Sequence, residues 1–214
     1  MLGILCGLTC EADLVRSLPD SRVVCSASNL QTARNMALVL ASQGATRLLS
    51  FGFAGGLDPA LAPGSVVIAT AVQSEQGFWV CSENLQSPLH ARLPEAVRGP
   101  LWGAEDLVTF AANKRNLHQT TRCLAVDMES QPLAASAAMM GIPFMAVRVV
   151  LDTADQDLPL AARVPLREGG GLNHLGIFFS VLLEPWQIPA LVRLGRARGR
   201  ALQSLKRVVQ ALKD

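Results

Sequence analysis

Four acidic residues and a run of glycines are where this chain could do chemistry. Glu11 follows the first apolar run, in Gly7-Leu8-Thr9-Cys10-Glu11. Gly52-Phe53-Ala54-Gly55-Gly56-Leu57, Val126-Asp127-Met128-Glu129-Ser130 and Arg148-Val149-Val150-Leu151-Asp152 each begin where a buried strand should end. Acidic and glycine residues at strand ends are how α/β proteins hold a polar ligand over an apolar sheet. Gly55 and Gly56 would let backbone N–H groups approach a ligand with no β-carbon in the way. A carboxylate such as Glu129 can accept from two neighbouring hydroxyls through charge-assisted bonds. A carboxyl at a partly desolvated strand end, such as Asp152, can keep a proton near neutral pH and act as an acid. Each has a plain structural alternative. The glycines could form an ordinary turn, Glu11 and Glu129 could decorate helix N-termini, and Asp152 could cap Thr153 or Ala154. Asp155 and Asp157 read as solvated loop acids. The glycines do not spell G-x-G-x-x-G, so a nicotinamide enzyme fits poorly.

The elements that must position these residues alternate between strand and helix. Leu2–Leu8 is an apolar run without alternation, suiting a strand covered on both faces. Arg22–Ser26 reads as a second strand. Ser28-Asn29-Leu30-Gln31 fits a capping box ahead of a helix marked by Ala33, Met36, Ala37 and Leu40, with Gly44 placed to end it. Arg47–Phe51 then runs into the glycines. Ser65–Val72 and Gln76–Cys81 are β-rich and expected to pair, and Pro88–Arg98 reads as a short helix or loop. Leu107–Phe110 is strand-like, Asn113–Gln119 a short helix and Cys123–Val126 a brief strand. Ser130–Met140 is an alanine-rich helix with Pro132 in its first turn, stopped by Gly141 before the last central strand, Phe144–Leu151. Helices are expected over Leu172–Leu183, beyond Gly169-Gly170-Gly171, and after Pro189. The pattern predicts one α/β domain over 1–214, with a mixed, mainly parallel central sheet covered by helices.

Bulk properties narrow the class. Half of the 214 residues are apolar and 17% are charged, enough for a full core and against disorder. No stretch reaches the roughly 18 apolar residues of a spanning helix, and the N-terminus lacks a signal-peptide pattern. Five scattered cysteines and three histidines without ligand spacing predict reduced thiols, a cytoplasmic setting and no metal site. Arg193–Asp214 carries seven basic residues and one acid, +6 of a net +2, leaving −4 elsewhere. A solvated helix face explains that asymmetry most simply; no nucleic-acid partner is expected, and weak peripheral membrane contact is the secondary expectation.

Taken in order, the four segments resemble the purine nucleoside phosphorylase and nucleosidase superfamily over nearly the whole chain. The resemblance implies a nucleoside phosphorylase-like fold, a homodimer and a purine nucleoside as ligand. It makes Asp152 the acid that protonates or hydrogen-bonds N7 of a departing purine. Met128 would pack on the ribose and Glu129 bond its hydroxyls. Glu11 would activate water, Asp13 being the alternative, and Gly52, Phe53 and Gly55 would border the substrate. An acid on the leaving group and a base on the opposite face of the sugar is the arrangement of paired carboxylates in glycosidases. No cofactor is implied, save phosphate as co-substrate if the reaction is phosphorolytic.

Departures from the family pattern narrow the reaction. The phosphorylase branch carries an arginine and a hydroxyl residue where this chain has Ser50 and Phe53. A phosphate site usually wants a guanidinium fork, so water is favoured as nucleophile, with Arg16 and Arg148 as candidate phosphate ligands if it is not. The position of the family's purine-stacking Phe, near the strand expected at Asp106–Phe110, carries Val108; Phe78, Trp79 and Phe110 are candidate substitutes. Asp155-Gln156-Asp157-Leu158-Pro159, the three glycines and Glu184-Pro185-Trp186-Gln187-Ile188-Pro189-Ala190-Leu191 resemble the hopanoid-associated members of the superfamily. That implies adenosylhopane as substrate and adenine as product. Ile177, Phe178, Phe179, Val181 and Leu182 would suit an apolar 5′-substituent, although such a run is commonly plain core.

Overall fold

A computed structural model describes residues 1–164, 173, 180 and 183–213. Its chain order is β1 (Leu2–Cys6), α1 (Thr9–Val15), β2 (Ser21–Cys25), α2 (Leu30–Ser42), β3 (Arg47–Gly56), β4 (Val66–Ser74), β5 (Gly77–Val80), α3 (Glu83–Arg92), β6 (Val97–Gly103), α4 (Ala111–Thr121), β7 (Ala125–Asp127), α5 (Ser130–Met140), β8 (Phe144–Asp152) and α6 (Ile188–Lys213). Short 3₁₀ turns at Leu160–Arg163 and Pro185–Gln187 precede α6. The helix expected over Leu172–Leu183, with Ile177, Phe178, Phe179, Val181 and Leu182, lies largely outside the described residues, as do the three glycines before it.

The eight strands form one mixed sheet. β1 pairs in parallel with β2 and β3, β3 with β8, and β4 and β7 each with β6. The antiparallel pairs are β3 with β7, β4 with β5, and β4 with β8. Following these pairings from β3 through β8, β4, β6 and β7 returns to β3, so five strands close on themselves. The closure brings the ends of β3, β7 and β8 together. Helices cover both faces, as the unalternating apolar strands require. Val15, Leu89, Leu205 and Val208 of α1, α3 and α6 pack on Ile4, Leu49 and Val147. On the other face, Leu40, Leu133 and Ala137 of α2 and α5 pack on Leu48, Val67 and Ala146.

Local expectations and outcomes part in three main places, and α3 also spans Glu83–Arg92 rather than the Pro88–Arg98 expected for a helix or loop. β3 does not stop at Phe51: it continues through Gly56, paired to β7 and β8 with an irregularity between Ala54 and Gly55. The glycines are therefore strand residues, not a loop. The strand expected at Leu107–Phe110 is irregular chain, and the strand that was not foreseen is β6. Gly99, Pro100 and Gly103 make β6 a poor strand by propensity. The register slips between Ala69 and Val72, opposite Pro100, so the missing N–H falls where the ladder is interrupted. Third, the cap of α2 is Asn29, whose side chain accepts from the Thr32 N–H at 2.9 Å, rather than Ser28. Gly141 ends α5 in the left-handed conformation (φ +65°), as expected.

Candidate active site

Arg148 lies in the middle of β8, in an otherwise apolar run, and is wholly buried. A guanidinium taken from water needs anionic partners, and three acids surround it. Arg148 Nη2 pairs with Asp127 Oδ2, and with Glu129 Oε2 at 3.5 Å. The Ser50 and Ser130 hydroxyls and the Phe53 carbonyl accept further bonds from it. Asp127 Oδ2 also accepts from the Ser130 N–H at 3.2 Å and hydroxyl at 2.6 Å, which holds the first turn of α5.

Glu11 completes the cluster from α1. Its Oε2 accepts from the N–H groups of Gly7 (3.0 Å) and Leu8 (2.8 Å), and its Oε1 from the Phe53 N–H (2.7 Å). Glu11 thus decorates the start of α1 and also bridges β1 to β3. Gly52 is required here for space: a Cβ would stand 2.6 Å from the Glu11 carboxyl and 2.7 Å from Arg148 Nη1. Gly7 has the same relation to Glu129 Oε1, at 2.6 Å. Among the described residues that oxygen accepts no hydrogen bond, and neither does the buried Asp127 Oδ1, so the cluster keeps two unpaired acceptors.

Electrostatics follow from three carboxyls sharing one cation. Burial pushes Glu129 up to about 7, Arg148 opposes that shift, and the charges of Asp127 and Glu11 add to it. Burial also raises Glu11 and Asp127, each opposed first by Arg148. Ser28, in a left-handed pair with Ala27 (φ +52° and +54°), is turned toward this cluster and favours the Glu129 carboxylate. Two consecutive non-glycine residues in that region are costly; here they point a hydroxyl at the acid.

Asp152, at the end of β8, stands beside Gly55. Its Oδ2 pairs with Lys114 Nζ, from the first turns of α4. Burial raises the Asp152 carboxyl and Lys114 opposes the rise. Asp152 lines a cleft of about 980 Å³ together with Phe110, Gln156, Leu158, Trp186 and Arg193 among others, whereas Glu11, Met128 and Glu129 do not line it.

The fold therefore gathers Glu11, Gly52, Phe53 and Glu129 around Arg148, with Gly55 and Asp152 at the adjoining strand end. Phe53 presents its N–H to Glu11 while its ring sits in the core. Met128 is half-buried between Asp127 and Glu129. Val108 packs on a small cluster of Leu57, Ala104, Cys123 and Val126, and Val126 in turn stands at Gly55 with Asp152. Of the two arginines considered for phosphate, Arg148 is enclosed by its acids, whereas Arg16 is mostly exposed, with Asp13 at 3.5 Å. Ser50 is no vacancy either, since its hydroxyl is a partner of Arg148. Asp157 is an exposed loop acid, as expected, and its Oδ1 also accepts from the Ala111 N–H at the start of α4, 2.7 Å away. Asp155 is exposed, as expected. Two residues escaped sequence reasoning: Asp127 as a partner of Arg148, and Lys114. The charged residue inside an apolar run could have flagged the first; Lys114, in a polar helical stretch, gave no signal. Among the described residues no group of acids, histidines and cysteines could hold a metal ion, and no helix is long and apolar enough to cross a membrane.

Comparison with known proteins defines the class. The family model described as the Phosphorylase superfamily matches residues 21–165, and the chain belongs to that family. Its fold is that of 5′-methylthioadenosine/S-adenosylhomocysteine nucleosidases. The structure from S. pneumoniae, with a transition-state inhibitor, aligns at a TM-score of 0.70 and 17% identity over 99% of both chains. The Helicobacter pylori enzyme of the same name aligns at 0.67 and 16% identity, covering 85% of this chain and 97% of that one. Futalosine hydrolase of Helicobacter pylori aligns at 0.66 and 17% identity, covering 86% and 97%.

Proposed function

We propose that this protein hydrolyses the N-glycosidic bond of a 5′-substituted adenosine and releases adenine. The observation that carries the reading is the buried cluster of Glu11 and Glu129 about Arg148, with an unbonded Glu129 oxygen and Asp152 at the neighbouring strand end. In this account Glu129 accepts from the ribose hydroxyls, Met128 lies on the sugar, and Asp152 faces the purine. Glu11 takes a proton from water as the C1′–N9 bond breaks and the C1′–O bond forms. Bonds from Glu129 strengthen as the sugar becomes oxocarbenium-like, so they lower the barrier more than they tighten binding. Arg148 and Ser50 are engaged with each other and with the buried acids, so neither is offered to phosphate, which supports water over phosphorolysis. Nucleosidases among proteins of similar fold favour the same class.

The finer proposal is an apolar 5′-group, with adenosylhopane as the candidate substrate. Leu183, Trp186, Ile188 and Val192 are exposed at the approach to α6, and Trp186 lines the cleft. A lipid-like tail would cover them; methylthioadenosine or adenosylhomocysteine would not. The discriminating experiment measures adenine released from methylthioadenosine, S-adenosylhomocysteine and adenosylhopane by the purified chain. A preference of about tenfold or more in kcat/KM for adenosylhopane is expected. A clear preference for methylthioadenosine would move the protein to the small-substituent reaction, and binding without adenine from any of the three would make it a silent nucleoside-binding protein.

Glu129 also sets a pH dependence. A hydroxyl acceptor must be the carboxylate, and its ordinary range is raised to about 7. The profile of kcat/KM, which reports free-enzyme groups, is expected to fall below about pH 7. Glu129→Gln should lower kcat and remove that acid limb. A limb that survives the substitution would assign it elsewhere.

A further inference from the structure

The acid beside the cleft is held by a lysine that no step above uses. Lys114 is wholly buried, and its ammonium donates to Asp152 Oδ2, to the Thr153 carbonyl at 3.0 Å and to the Gln156 carbonyl at 2.8 Å. All three of its protons therefore have acceptors. Lysine is rarely buried fully, and a buried ion pair is weak evidence for stability, since apolar residues of similar volume commonly serve as well or better. The pair occurs where chemistry is proposed, which gives the expense another reason.

An ammonium at this distance favours the ionised carboxylate. Burial acts the other way and raises the Asp152 carboxyl overall, so the proton that a departing purine needs is shared between the two side chains. The two side chains together hold a transferable proton that the carboxylate alone lacks. We propose that Lys114 is the positioning residue for Asp152 and the source of the proton that Asp152 passes to the leaving base. The proposal rests on the hydrolytic reading above. As C1′–N9 breaks and its electron pair goes to the base, Asp152 delivers a proton to the base and takes one from Lys114. Lys114 ends as a neutral amine. The proton that Glu11 takes from water leaves to solvent, and solvent returns one to Lys114. The bonds to Thr153 and Gln156 meanwhile tie the chain after β8 to α4, fixing how Asp152 faces the cleft.

Other charges near the pair are Arg115 on α4, Asp155 and Asp157 after β8, and Arg163, Glu184 and Arg193 across the cleft. They are unchanged in the variants, so differences between profiles report the pair. The test measures kcat against pH for wild type, Lys114→Met, Lys114→Arg, Asp152→Asn and the Lys114→Met/Asp152→Asn double variant, each confirmed folded by circular dichroism. At pH 8, Lys114→Met should be about 10²-fold slower with KM within about threefold. Its alkaline limb should move to lower pH, because Asp152 alone must then keep the proton, and the gap should narrow near pH 5.5. Lys114→Arg keeps a cation that does not deprotonate and should stay slow. The double variant should be no slower than Asp152→Asn.

Parallel pH profiles, full rescue by arginine, or multiplicative losses in the double variant would each overturn the proposal. If wild type releases no adenine, the hydrolytic reading itself falls. The pair is then judged by carbon-13 titration of the Asp152 carboxyl: its midpoint should rise in Lys114→Met, and an unmoved midpoint would overturn the coupling.

Discussion

Asp152→Asn is expected to lower turnover by about 10²–10⁴-fold, the span of general acid–base catalysis. An amide keeps the shape of the carboxyl and can still accept from Lys114, but it cannot carry a proton to the purine. The loss should fall on kcat, with KM little changed, because the proton is needed as charge develops on the base rather than on binding. The substitution also leaves the Lys114 ammonium without its counter-charge, so a lower Tm is expected alongside. Turnover must therefore be expressed per folded molecule. A folded variant that keeps more than a tenth of wild-type turnover would remove Asp152 from the mechanism.

Arg148→Met should produce the largest loss of stability. Asp127, Glu129 and Glu11 would be left in the core with no cation among them, and breaking a buried ion pair from one side costs about 3–5 kcal/mol. For a chain of this size that corresponds to roughly 6–20 °C in Tm. The loss should depend on pH in a defined direction. Burial already raises all three carboxyls, and without Arg148 they rise further. Groups raised above their unfolded values stabilise the fold only while protonated, so that contribution is lost as pH climbs through their folded values. The gap in Tm between wild type and Arg148→Met should be widest above neutrality and shrink toward pH 5. Thermal unfolding followed at pH 5, 7 and 8.5 checks both parts. A Tm within about 2 °C of wild type at pH 8.5 would mean that the cluster is not the electrostatic unit described.

These residues also show what a sequence makes legible. Unalternating apolar runs predicted a sheet covered on both faces, and Gly141 marked the end of α5. Glycine and acid at the ends of such runs picked out most of the residues that the fold brings together, because strand ends are where a packed sheet leaves room for polar groups. The misses have physical causes. β6 is held by its neighbours on both sides despite Gly99, Pro100 and Gly103, so tertiary pairing overrode propensity. The glycines of β3 read as a turn, yet they are strand residues, and Gly52 is small because Glu11 and Arg148 fill the space of a side chain. Lys114 sits among Asn113 and Arg115 in a polar stretch that reads as solvent-facing, and only the packing of α4 on the end of β8 buries it. Ser50 read as the loss of a phosphate-binding arginine, whereas in space it braces an arginine that arrives from β8.

That arginine is also why the nucleophile is the central claim. A doubly charged phosphate needs compensating cations to leave water, and the buried guanidinium of Arg148 is already shared among Asp127, Glu129 and Glu11. Water beside Glu11 makes no such demand. The most direct measurement is adenine release from the preferred 5′-substituted adenosine in buffer freed of phosphate, with wild type and Glu11→Gln run side by side and phosphate then added back. The account predicts full turnover without phosphate, no stimulation on its return, a free ribosyl product and near-complete loss in Glu11→Gln. Turnover that appears only when phosphate is restored, with a ribose 1-phosphate as product, would contradict it.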